Sequence, residues 1–393
     1  MGVEEKMNNK VLADIRKQFK LDNQRMQITE ILNIYVQKET GNIYHYSGHP
    51  FPLLERETQE LFLANFKKVL SGKSDEKIFD LKFRHNHSDK DNTQAILYKS
   101  LKMPANEWQE NMLKIVNKMF AGGSYEFDVV VTFIRGEYVK PKQKRDAESE
   151  EGGMDEAYSN PFILCSTNKM DQPKKALLFD YIEKEIRPTN GLDPIINLTS
   201  PLYGFLFPVI YDYGFDVNRI LYYTGKANQP DEQLIDEILQ CEKIVTALEE
   251  KDSFSYILQS VIGDKVESDV IANVYAEIGK LALTQEDEEE SEPPTVDQKD
   301  IERILKASGI EKVDSHKLET AFQDIMLDEK HEFKATNVVP KKIKIQTKVA
   351  NVSIDPKDFK YVKYITYQGK RCLLLEIDED VIVEGFRLET GNL

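Results

Sequence analysis

Cysteine is scarce in this chain, with three residues, Cys165, Cys241 and Cys372, among 393. None forms part of a CxxC pair, which removes a disulfide framework and a zinc ribbon and fits a reducing compartment. Cys165 and Cys372 sit in apolar, strand-like runs and read as buried structural thiols. No stretch approaches the roughly 20 consecutive apolar residues of a membrane helix. The opening MGVEEKMNNKVLADIRKQF lacks the basic-then-apolar order of a signal peptide. Lys6 stands where N-myristoylation requires Ser or Thr. These absences predict a cytoplasmic protein without a membrane span.

Catalytic signatures are also missing. There is no GxGxxG fingerprint and no GxSxG nucleophile elbow. Ser71-Gly72-Lys73-Ser74 copies the end of a phosphate-binding loop, but Lys67 holds the place of its first glycine. That position falls inside a predicted helix, so the run reads as a helix cap. His331-Glu332 has no second histidine at zincin spacing. No cofactor is expected.

Positive charge is in short supply: 52 Lys and Arg against 68 Asp and Glu, a formal charge of −16. Such a field repels nucleic-acid phosphate unless a local basic patch overrides it. Basic clusters at Lys140 to Arg145 and at Lys341-Lys342-Lys344 are short and read as solvated faces. Nucleic acid is disfavoured as a partner on this count.

What is present points to an α+β fold in two or three domains, since single cores rarely grow past about 250–300 residues. Apolar residues at helical spacing predict a first helix from Asn9 to Phe19. Two β-rich runs around Gly41-Asn42 predict a hairpin. Further helices are expected from Glu55 to Leu70 and before Gly122-Gly123, with strands in KIFDLKF, YEFDVVVTFIRGEYV and NPFILCST. A flexible loop over 140–157 interrupts them. PLYGFLFPVIYDYGFDVNRILYYT reads as two strands around Tyr213-Gly214, with Pro201 and Pro208 suggesting an edge or bulge. Two or three helices follow from Asp231 to Leu283.

The body, a mixed or antiparallel sheet with covering helices, is thus expected over 8–283, in one or two subdomains. Six of the seven residues Glu286 to Glu292 are acidic, so 284–298 reads as a linker. A helical pair over 299–330 and a small β module over 338–391 complete the chain.

One constellation invites a catalytic argument. His85, His87, Asp89 and Asp91 alternate imidazole and carboxylate between a strand and a helix, as in metallo-β-lactamase-like zinc sites. Lys90 replaces the next histidine, and none follows before His316. A metal-dependent hydrolase or nuclease on this loop is therefore an alternative reading. Tyr203, Tyr211, Tyr213 and Tyr222 belong to an aromatic block with Arg219 as its only basic residue, so a buried sheet explains it better than a stacking platform. Its exposed fraction could form a protein-binding patch.

Gly204 to Pro208, Ile220 to Thr224 and Ala13 to Asn23 together resemble an uncharacterised domain-of-unknown-function family (4317) of Gram-positive bacteria. The resemblance covers most of the chain. It implies a bacterial cytosolic protein and assigns no catalytic residue. The charge, the modular ending and the missing motifs favour a non-enzymatic interaction or adaptor protein that binds a protein partner, a basic protein or a large assembly. An acidic mimic of nucleic acid is a third reading.

Overall fold

The computed structural model describes residues 9–84, 92–121, 123, 125–140, 158–171, 177–180, 184–188, 193–211, 214–263, 266–283, 294–310, 313–326, 331–340 and 342–389. The chain divides into two compact units, Met1–Val245 and Thr246–Leu393.

The first unit is built on an antiparallel sheet. Its seven main strands are β1 (Met26–Val36), β2 (Ile43–Pro50), β3 (Ile78–Lys82), β4 (Val129–Lys140), β5 (Tyr158–Asp171), β6 (Tyr203–Phe207) and β7 (Arg219–Thr224). They lie in the order β2-β1-β4-β5-β6-β7-β3, and Ile195–Ile196 pairs with the end of β5. Lys140 stands opposite Tyr158, so the strands flanking 141–157 are direct neighbours. That segment itself lies outside the described residues.

Both sheet faces are covered, and strand alternation sorts the side chains between them. Helices α1 (Asn9–Gln18) and α2 (Arg56–Val69) place Ile15 and Phe66, with Phe19 directly after α1, against Ile134, Phe162, Leu164 and Leu221. Helices α3 (Thr93–Ser100) and α4 (Ala105–Phe120) place Trp108, Met112 and Val116 against Phe133, Cys165, Phe205 and Tyr222. Strands buried on both faces read as continuous apolar runs, which is why they are conspicuous in the sequence.

β1 changes face partway along. Ile28 pairs with Gly136, but Glu30 pairs with Arg135, leaving Thr29 as an extra residue. Before this bulge Met26 and Ile28 face α1 and α2; after it Ile31 does, while Leu32, Ile34 and Val36 face the other layer. One inserted residue reverses the parity of everything that follows.

Pro201 and Pro208 flank β6 rather than interrupting it, and β6 lies inside the sheet between β5 and β7. The edge or bulged position expected for this strand is therefore corrected. The prolines end the strand, so no interior N–H is missing.

The second unit starts earlier than the sequence reading places it. Helices α5 (Ala247–Ile262) and α6 (Ser268–Leu283) share a core with α7 (Gln298–Ala307), α8 (Ser315–Met326) and the short α9 (Ala335–Val338). Phe254, Ile257, Val274, Ile278, Leu305, Phe322 and Phe333 form its centre. The apolar stripes of α5 and α6 thus belong with the later helices, and the body ends at Val245 instead of 283. Residues 284–293 lie outside the described residues. Val296, inside the expected linker, is fully buried and pairs with Phe333. Capping boxes at Thr246 and Glu249, and at Asp297 and Asp300, start α5 and α7.

Three hairpins follow, β8 (Ile343–Gln346) with β9 (Asn351–Ile354), β10 (Val362–Tyr367) with β11 (Lys370–Leu375), and β12 (Ile382–Val383) with β13 (Phe386–Arg387).

Candidate functional site

The sequence-derived candidates fare unevenly. His85, His87, Asp89, Asp91 and Tyr213 lie outside the described residues. Among the described residues no group of three or more His, Cys, Asp or Glu is arranged to hold a metal ion. No described helix is long and apolar enough to cross a membrane.

Within the aromatic patch, Tyr211 and Tyr222 are enclosed. Tyr222 is fully buried, and its hydroxyl accepts the Asp231 backbone N–H at 3.1 Å. Tyr211 is buried and donates to the Asp80 carboxylate at 3.3 Å, beside Arg219, which also pairs with Asp80 at 2.8 Å. Tyr203 is half-buried. Burial pushes the hydroxyls of all three above their ordinary range. Only tertiary packing decides this, because the rings alternate between two covered faces.

Neither buried cysteine is a candidate nucleophile. Cys165 is completely enclosed and burial pushes its thiol up. Burial pushes Cys241 up to about 12. A thiol held protonated attacks poorly. Cys372 departs from expectation: it is half-exposed on β11, because that hairpin is covered on neither side along most of its length.

Exposed apolar side chains occur singly at Leu53, Ile186 and Tyr256 and follow one another closely in the last two hairpins, which contain few of the side chains buried in the second unit. Val362 is buried and anchors β10, yet Tyr364, at 66% exposure, and Leu374 and Leu375 face solvent. On the final hairpin Ile382 is 69% and Phe386 75% exposed, with Val383 and Leu388 also open. An isolated two-stranded hairpin is marginal in water, so each of these gains from further packing. The turns are well specified. Gln368-Gly369 and Glu384-Gly385 all have positive φ, as a two-residue hairpin turn matched to strand twist requires.

Charge divides this surface. Between residues 342 and 371 there are eight Lys and Arg against two Asp. From 376 to 389 the balance reverses, with Glu376, Asp378, Glu379, Asp380, Glu384 and Glu389 against Arg387 alone. The exposed apolar side chains of the final hairpin thus lie in a stretch of chain dominated by carboxylates. Sequence patterning identifies this module as β structure, but it cannot separate strands covered by a core from strands left open.

A protein-family model described as a domain of unknown function (DUF4317) matches residues 7–386. No curated protein and no solved structure matches the chain.

Proposed function

The chain belongs to the DUF4317 family, and since the matched region runs into the last hairpin, we propose that it is a non-enzymatic interaction protein whose C-terminal hairpins dock a protein partner. The observation carrying this reading is the open apolar tip formed by Ile382, Val383, Phe386 and Leu388. Contiguous exposed apolar side chains rimmed by polar residues are a feature of protein-interaction sites. Aromatic and aliphatic anchors of this kind supply most of the energy of typical interfaces, each contributing about 1.5–3 kcal/mol when fully covered. The surrounding carboxylates favour a partner whose docking pocket has a basic rim, because charge complementarity raises the encounter rate and rejects acidic competitors. Bacterial and cytoplasmic origins are part of the same proposal.

The test compares affinity capture by the intact protein with capture by an Ile382→Ser/Phe386→Ser variant from the native cells. A basic protein retained by the former and lost from the latter is the expected result. Identical captures, or substrate turnover that a single substitution abolishes, would overturn the reading.

A further inference from the structure

We infer that the two hairpins preceding the acidic tip, residues 342–375, form a binding surface for single-stranded nucleic acid. This goes beyond the protein-docking tip and uses different residues. These hairpins differ in charge from the rest of the chain. Eight cations and two carboxylates lie within thirty residues of a chain whose net charge is −16, so a local basic patch stands against the field of the remainder. Contiguous runs of lysine understate it, because strand alternation spaces the cations out along the sequence.

Those cations are available. Lys344, Lys348, Lys357, Lys370 and Arg371 make no ion pair among the described residues. Lys342 pairs with Asp355 at 2.9 Å and Lys363 with Glu376 at 4.0 Å, both on the exposed surface. Exposed pairs are weak and exchange for phosphate at little cost.

An aromatic set lies among these charges. Tyr361, Tyr364 and Tyr367 are all exposed, and the Lys360 ammonium lies 4.9 Å from the centre of the Tyr361 ring. The strand register sets their positions. Tyr367 stands opposite Lys370, on the same side as Lys363. Tyr364 and Arg371 share the other side, one pair apart. Each side of the hairpin therefore combines a ring with a cation near the turn. Exposed rings stack on unpaired bases while neighbouring cations meet the backbone phosphates.

These features discriminate between polyanions. A duplex hides its base faces, leaving the tyrosines nothing to stack on. An anionic membrane would have to admit the adjoining apolar tip together with its six carboxylates, which it repels. RNA and single-stranded DNA offer the same chemistry.

The experiment is fluorescence anisotropy of the full chain with labelled mixed-sequence RNA and DNA single strands of about 16 nucleotides. It is run at about 50 and about 200 mM salt, where five phosphate contacts imply roughly a hundredfold loss of affinity. The variant Lys344→Gln/Lys370→Gln/Arg371→Gln should flatten the salt slope by about two. Tyr364→Ala and Tyr367→Ala should each weaken binding about tenfold, while Tyr→Phe at either position restores it. The Ile382→Ser/Phe386→Ser variant should bind like the wild type, which separates this surface from the protein-docking tip. Preference for RNA or for DNA identifies the natural strand, and either supports the inference. Absence of binding at the lower salt would overturn it. So would equal affinity for a duplex, polyglutamate or phosphatidylserine vesicles, or tyrosine-to-alanine variants that bind unchanged.

Discussion

The Asn337 side-chain amide donates a hydrogen bond to the Glu250 carboxylate at 2.7 Å, and both residues are buried. The other oxygen of Glu250 accepts the Lys334 backbone N–H at 2.8 Å. The beginning of α5 is therefore tied to α9 across more than eighty residues of chain. A buried carboxylate is tolerated here because its acceptors are used.

Replacing Glu250 with Ala should destabilise the second unit by about 3 kcal/mol, because the buried Asn337 amide and the half-buried Lys334 N–H lose a charged acceptor together. Hydrogen exchange followed by mass spectrometry checks this. Amides around Phe254 and Phe322 should lose protection, while those around Val131 and Phe133 keep theirs.

Gly136 is required by the bulge in β1. A Cβ at that position would lie 2.2 Å from the Gln27 carbonyl oxygen and 2.9 Å from the Ile28 Cα. Both obstacles are backbone, so the strand pair must move. Gly136→Ala should cost about 1–3 kcal/mol. The single tryptophan, Trp108, lies in the first unit's core, so its fluorescence during urea unfolding reports that unit.

Tyr35 donates to the Asp128 carboxylate at 2.6 Å. That hydrogen bond, with burial and the negative charge of Asp128 adding to it, pushes the Tyr35 hydroxyl up to about 12. The folded state therefore holds the phenolic proton more tightly than the unfolded chain. The corresponding stability is fully present below about pH 10 and disappears as the pH rises toward 12. Tyr35→Phe should show a shallower loss of stability across that interval than the wild type, measured by urea unfolding at fixed pH values. An unchanged slope would mean the pair contributes nothing there.

Exposure should separate docking residues from structural ones. Phe386→Ala should change stability by less than about 0.5 kcal/mol, whereas Phe322→Ala, in the second core, should cost about 3–5 kcal/mol. Thermal unfolding of both variants makes the comparison. A large effect at Phe386 would assign it to the fold instead of to a partner.

The interaction reading also predicts indifference to chelators. Dialysis against a strong chelator should leave the unfolding midpoints and the captured partner unchanged. A fall in either would return attention to His85, His87, Asp89 and Asp91.

Much of the fold is legible in the sequence because the first unit's strands are buried on both faces. Runs such as VVVTFI in β4 and FILC in β5 read as continuous apolar strands for that reason. The amphipathic helices α1, α2 and α4 are equally plain. The Thr29 bulge leaves no comparable mark, since one extra residue changes neither composition nor propensity. The unit boundary is also hidden. The acidic run attracts attention, while α5 and α6 show that an apolar stripe exists without showing which core receives it.

The candidate site divides in the same way. Lysine, tyrosine and the Gln-Gly and Glu-Gly turns of the last hairpins can be read directly, because local backbone preference and side-chain chemistry belong to the residues themselves. The sequence by itself thus determined the class of fold, the absence of familiar catalytic motifs and the reversal of charge after residue 371. Only the tertiary structure decided that Tyr211 and Tyr222 are enclosed while Tyr364 and Phe386 are open. Burial depends on what packs against a residue from elsewhere in the chain, and no local pattern carries that information.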